Sequence, residues 1–113
     1  MTGTNPLRSP LGAVQSIEKL LRQQKMNASD IDIFEVNEAF AVIDELFARA
    51  YPNCVERYNI LGGALAYGHP YGATGAMLIL HALTALQQTG GTLGCCSIAG
   101  AGGLGCAVLV ERI

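Results

Sequence analysis

Leu11, Val14, Ile17, Leu20 and Leu21 recur at helical spacing, and Gln15, Glu18, Lys19 and Arg22 fill the positions between them. The pattern predicts an amphipathic helix to about Lys25 that packs on one side only. The segment before it, Met1 to Pro10, reads as a loop. Its end, Ser9-Pro10, reads as a helix entrance with Ser9 as N-cap and Pro10 in the first turn. After the turn chemistry of Asn27 to Asp30, Ile31, Ile33 and Phe34 to Val36 read as a short strand. Asn37 and Glu38 follow, and a second helix starts at once. Phe40, Ile43, Leu46, Phe47 and Ala50 lie along its apolar face, and Pro52 ends it. Tyr58 to Leu61 reads as a brief strand closed by Gly62-Gly63, and a glycine-rich loop then runs to Gly75. A third helix, Thr74 to Gln88, is apolar nearly all round and is expected to be buried on most sides. Thr92 to Ile98 reads as a buried strand, Ala99 to Gly105 as a small-residue turn, and Cys106 to Arg112 as a last strand antiparallel to the one before. The alternation of helices and strands predicts a single α/β domain over residues 1–113, a mixed sheet covered by helices on both faces.

Composition sharpens this picture. Half of the 113 residues are apolar and 14% are charged, against roughly 25% charged in an average soluble domain. A short chain this apolar is expected to bury surface against a partner domain, a partner chain or a second copy of itself. The net charge is −2 with no basic run, which argues against a nucleic-acid partner. The longest apolar stretch, Ala73 to Leu86, contains His81 and falls short of the ~20 residues that span a bilayer. The N-terminus has no apolar core of the kind a signal peptide needs, so no membrane and a cytoplasmic location are expected. Cys54, Cys95, Cys96 and Cys106 show no metal-ligand spacing and read as buried reduced thiols, with no metal site and no disulfide framework.

Three motifs sit where strands end, the place where open α/β sheets bind ligands. The first is Val36-Asn37-Glu38-Ala39-Phe40, in which an asparagine at a strand-to-helix junction can serve simply as a cap. The second runs from Gly62 to Gly75, with Tyr67, His69, Tyr71 and Thr74 as the polar side chains at its centre. Glycines around His69 let a ligand approach closely, and an imidazole is suited to proton transfer near neutral pH. The third, Ala99 to Gly105, offers backbone N–H groups. It lacks the lysine and following helix of a phosphate loop.

Together, N-E-A-F, then G-G-x-x-A-x-G-H-P-x-G-x-T-G, then a G-G-x-G turn into a final strand resemble the thiolase family over nearly the whole chain. The resemblance implies most of the C-terminal half of the thiolase fold, with the first strand of that half upstream of Met1 and central in the sheet. It implies an acyl-CoA C-acyltransferase, either condensing or cleaving, that takes a CoA thioester as substrate and holds no bound cofactor. The acyl-accepting cysteine would come from a thiolase N-terminal half or partner chain, and the assembly would be a homo-oligomer. His69 would take that cysteine's proton, Asn37 would hold a water beside the thioester carbonyl, and the backbone N–H of Ala101, with that of Gly100, would form an oxyanion site. A second family cysteine, an acid/base at the α-carbon, falls at Ala99 here. Either Cys96 or Cys95 reaches the site through a local shift or that proton transfer is absent. Tyr71 stands where a smaller aliphatic residue is usual, and Met77 where arginine is common. A non-catalytic thiolase-fold subunit that binds a partner, or a stand-alone acyl-CoA-binding module, are the alternatives.

Overall fold

The computed structural model describes all 113 residues. Strand β1 is Thr2–Gly3, followed by helix α1 (Leu11–Gln24), β2 (Ile33–Val36), α2 (Val42–Ala50), the short α3 (Ala64–Tyr67), α4 (Thr74–Thr89), β3 (Leu93–Gly100) and β4 (Leu104–Glu111). Single turns of 3-10 helix fill several of the connections. The strands form one mixed sheet in the order β1-β4-β3-β2. β2 runs parallel to β3, and β4 is antiparallel to both its neighbours.

The period-2 alternation of β2 and β3 sends side chains to two differently covered faces. Phe34, Val36 and Cys95 pack with Ala13, Val14, Ile17 and Leu21 of α1 and with Ile43 and Phe47 of α2. Ile33 packs with Ala85 and Leu86 of α4 on the other face, where Cys96 meets Leu78 and Ala82. All four residues of β2 are buried. Fully buried Ile17, Phe34, Ile43 and Phe47 each contribute roughly 1.5–3 kcal/mol of apolar burial. α1 closes on Lys25, whose left-handed backbone (φ 57) lets its N–H and that of Met26 reach carbonyls of the last turn. The helix also lies unusually close to the sheet. A Cβ at Gly12 would overlap the Leu104 carbonyl, and one at Gly105 would overlap Gly12 itself.

Several expectations need correction. β2 and β3 are direct neighbours over Ile33↔Gly94 to Val36↔Ser97, so no central position stands open between them. The strand preceding α1 is β1, at the edge beside β4. Chain order does not dictate lateral order, because the α1 crossover carries the chain past β4 and β3 before β2 joins. α2 begins at Val42, not directly after Glu38, and Phe40 is 64% exposed instead of lying on the helix's inner face. The Tyr58 strand is reduced to a single bridge to Phe34, because the Asn59 side chain takes over the next ladder positions. β3 continues through Gly100, since Ala99 and Gly100 pair with Gly105 and Leu104, and the turn shrinks to three residues. Ser9 does not cap α1. Its hydroxyl donates to the Pro6 carbonyl and accepts from the Gly103 N–H at 3.1 Å. α4 is buried on the sheet side only, with Leu80 62% exposed and Ile79 and Leu83 also open. No helix is long and apolar enough to cross a membrane.

Candidate active site

The carboxyl end of β2 and the loop before α4 are tied together by one asparagine and one glutamate. Asn59 lies in left-handed backbone (φ 44) and uses its side-chain amide as a stand-in for a strand. Its Oδ1 accepts from the Val36 N–H at 2.8 Å, and its Nδ2 donates to the Val36 carbonyl at 2.9 Å and to Glu38 Oε1 at 3.1 Å. The other Glu38 oxygen accepts from the Leu65 N–H at 2.9 Å. That carboxylate fills the space where a side chain at residue 63 would begin, so only glycine fits there. Glu38 therefore clamps the start of α3, four residues before His69.

His69 is held at both ring nitrogens. Nδ1 is 2.7 Å from Thr74 Oγ1 in the first turn of α4, and Nε2 is 3.4 Å from Asn37 Nδ2. An amide nitrogen has only protons to offer, so Nε2 faces it as an acceptor and the ring proton sits on Nδ1, donated to Thr74. The basic nitrogen thus points toward Asn37. Asn37 is itself 1% exposed, fixed by its N–H to the Ser97 carbonyl at 2.9 Å, and its Oδ1 has no hydrogen-bond partner. The Tyr71 ring lies 5.0 Å from the imidazole on a residue with φ 40. Left-handed backbone in a tyrosine is strained, and such strain clusters at ligand sites.

His69 and Tyr71 border a cleft of about 610 Å³ whose other walls include Phe40, Ala99, Gly100 and Ala101. The β3–β4 turn forms its far side. Thr4 N–H to the Gly103 carbonyl (2.6 Å) and Gly103 N–H to Ser9 Oγ pin that turn to the entrance of α1. The Ala101 N–H makes no hydrogen bond within the chain and is free to donate. The structure therefore brings His69, Ala99 and Ala101 to one cleft, with Asn37 buried against the His69 imidazole.

It does not bring Cys96 there. Residue 96 is on the α4 face, three positions before Ala99, roughly 10 Å along the strand. Its thiol donates to the Leu78 carbonyl at 3.5 Å and is pushed up to about 12 by burial and by the charge of Glu35. Cys95 shares the face of Ala99 but lies within the α1–α2 core, and burial pushes it up to about 12. Neither neutral, enclosed thiol can exchange a proton with a ligand over His69. Thr74, Glu38 and Asn59 were missed as supporting groups. The signal available was the N-E-A-F glutamate, which a helix cap does not explain.

At these strand ends the α/β sheet gathers an imidazole, a carboxamide and the free Ala101 N–H. Comparison with known proteins makes this specific. The thiolase C-terminal domain profile matches residues 1–112. The chain is 36% identical over 110 residues to cytosolic acetyl-CoA acetyltransferase of Rattus norvegicus, covering 97% of this chain and 28% of that protein. It is 40% identical over 108 residues to acetyl-CoA acetyltransferase of Synechocystis sp., covering 96% and 27%. The crystal structure of human mitochondrial 3-ketoacyl-CoA thiolase superposes with TM-score 0.93 at 32% identity over 99% of this chain and 28% of that one. The chain belongs to the thiolase family, and its fold is the C-terminal half of the thiolase fold. It spans just over a quarter of the length of these relatives.

Proposed function

We propose that this chain supplies the imidazole and oxyanion half of a thiolase-type acyl-CoA C-acyltransferase site, with the nucleophilic cysteine contributed by thiolase sequence beyond these 113 residues. The observation that carries the reading is the orientation of His69. Thr74 accepts the hydrogen bond from Nδ1–H, which leaves the lone pair on Nε2, beside buried Asn37 and at the wall of a cleft that Ala101 also lines.

In this reading His69 Nε2 removes the proton of the cysteine thiol as it attacks a CoA thioester. It returns that proton to the departing CoA thiolate. Asn37, through a water, and the Ala101 N–H stabilise carbonyl oxygens that gain negative charge. The test is acylation of the assembled enzyme, followed by intact mass after mixing with an acyl-CoA. His69→Ala is expected to slow acyl-enzyme formation by about 10²–10⁴-fold, the usual contribution of a general base. Acylation at an undiminished rate would overturn the assignment.

A second reading is favoured by Ala99. Forming or breaking a carbon–carbon bond beside a thioester needs a second group to move the α-proton, and a methyl group cannot. With Cys95 and Cys96 both held away from the cleft, the site serves either acyl exchange between thiols alone or a binding role without catalysis. Ala99→Cys separates these outcomes in the assembled protein. Condensation activity gained on that substitution marks an acylation-competent site. No acylation with or without the cysteine marks a non-catalytic subunit.

A further inference from the structure

On the face of the sheet away from the cleft, three ionisable side chains from three elements converge on one atom. His81 stands midway along α4. Its Nδ1 is 3.2 Å from the Tyr67 hydroxyl, and the two rings meet edge-on with centroids 5.0 Å apart. The same Nδ1 is 3.9 Å from Glu35 Oε2 on β2. Glu35 is fully buried, and neither carboxylate oxygen has a hydrogen-bond partner. Tyr67 ends α3, two residues before His69.

We infer that His81 is a positioning residue: through Tyr67 it latches the loop that carries His69, and a proton taken up by the His81–Glu35 pair releases it. A ring nitrogen has one in-plane position for a hydrogen bond. With the pair unprotonated, Nδ1 holds a lone pair, and the Tyr67 hydroxyl donates to it. With one proton on the pair, Glu35 Oε2 competes with the Tyr67 oxygen for Nδ1, and the charge-assisted carboxylate bond is the stronger of the two, so the Tyr67 contact is given up. The geometry, 3.2 Å to Tyr67 and 3.9 Å to Glu35, matches the arrangement in which the Tyr67 hydroxyl donates to Nδ1. Closing the Glu35 contact to hydrogen-bond length needs a shift of roughly 1 Å.

The surroundings favour proton uptake. From β2 and the residues after it, Glu35 and Glu38 both present carboxylates to this group, and Glu38 adds repulsion at Glu35. Burial, then that repulsion, pushes Glu35 up to about 7. Cys96 of β3 and Tyr58 are held neutral, both having their pKa raised by burial. α4 has no other ionisable side chain, Met77 standing one turn before His81. β4 presents Val110, Val108 and the Cys106 thiol to α4. No cation other than His81 faces the buried carboxylate.

Only the consequence for catalysis rests on the function proposed above. The latch stands on its own geometry and is read without an activity assay. Imidazole nitrogen and Tyr67 ring resonances would be followed by NMR across roughly pH 5–8, the general window in which an imidazole side chain can change charge. Protection of the 64–69 amides, corrected for intrinsic exchange, would be measured alongside. Tyr67 is expected to move with the same midpoint as the His81–Glu35 pair, and protection to fall about fivefold on the acid side, the worth of one hydrogen bond. Tyr67→Phe, at a partly exposed position, is expected to show the lower protection at every pH. Glu35→Gln is expected to keep the latch closed to lower pH. Tyr67 signals unmoved through the titration, or Tyr67→Phe as protected as the parent, would overturn the latch. Loss of the His69 assignment in the acylation assay, with this titration intact, would overturn the catalytic reading alone.

Discussion

Asn37 and His69 are 32 residues apart, and their meeting rests on their own hydrogen bonds to Ser97 and Thr74 and on the Asn59–Glu38 clamp between their segments. A histidine between glycines is legible as a ligand-facing group. Which of its nitrogens is basic depends on Thr74 Oγ1, five residues on, which no motif reveals without the turn between Tyr71 and Thr74. Replacing that hydroxyl tests it. Thr74→Val is expected to cut acyl-enzyme formation by about tenfold while leaving folding intact, read from kinetics and the unfolding midpoint together. Glu35 gives the second test at this scale. Its folded value of about 7 lies above its ordinary 4.5, so the native state holds the proton more tightly than the unfolded chain. Its contribution is complete below about pH 4.5 and is lost as pH rises through about 7. Glu35→Gln is therefore expected to stabilise the protein at pH 8 by roughly 2 kcal/mol relative to its effect at pH 5, checked by urea unfolding at both pH values. Equal effects at the two would show that the carboxyl is solvated.

At the level of elements, α1, β2, α4 and the terminal hairpin were legible from periodicity because each buries a continuous apolar stripe or alternation. The elements around the site were not. Phe40 has the spacing of a helix face, yet the chain bends through Ala39 to Ala41 before α2 begins, and the ring is left at the cleft. The segment after Arg57 has strand composition but is displaced from strand pairing by the Asn59 side chain. That clamp predicts a specific dependence. Glu38→Gln keeps one acceptor oxygen but loses the charge that strengthens its hydrogen bonds, and is expected to raise amide exchange of residues 64–68 several-fold with little change in β2. The α1–β4 contact is stiffer. Gly12→Ala would drive a methyl into the Leu104 carbonyl and is expected to cost about 1–3 kcal/mol of stability, the range for overpacking, measured by thermal unfolding.

Over the whole molecule, the two sides of the sheet are finished differently. α1 and α2 close one face around Phe34, Phe47, Tyr51 and Tyr58, whose rings lie 4.4–6.1 Å apart. α4 covers the other face but turns Ile79, Leu80 and Leu83 outward. A side this apolar favours association. We propose that this side seats another protein surface: a parent chain that shows concentration-dependent association in sedimentation velocity, weakened by Leu80→Lys at an unchanged unfolding midpoint, would support this for a second copy. A parent chain that stays monomeric, or an association that Leu80→Lys leaves unchanged, would overturn it for a second copy.

Residue order alone determined the α/β class, the amphipathic character of α1, the antiparallel hairpin and the three motifs that mark the family, because each depends on local spacing. The lateral order of the strands was decided only in three dimensions, since a crossover helix can carry the chain to either side of strands made later. So was the fate of the cysteines. Cys95 and Cys96 lie within a few residues of Ala99 in sequence, but strand alternation and helix cover send one into the α1–α2 core and the other beneath α4. The convergence of His69, Ala99 and Ala101 on one cleft with Asn37 against the imidazole, and of Tyr67, His81 and Glu35 on one atom, likewise belongs to the tertiary structure, because it joins side chains from elements that share no local period.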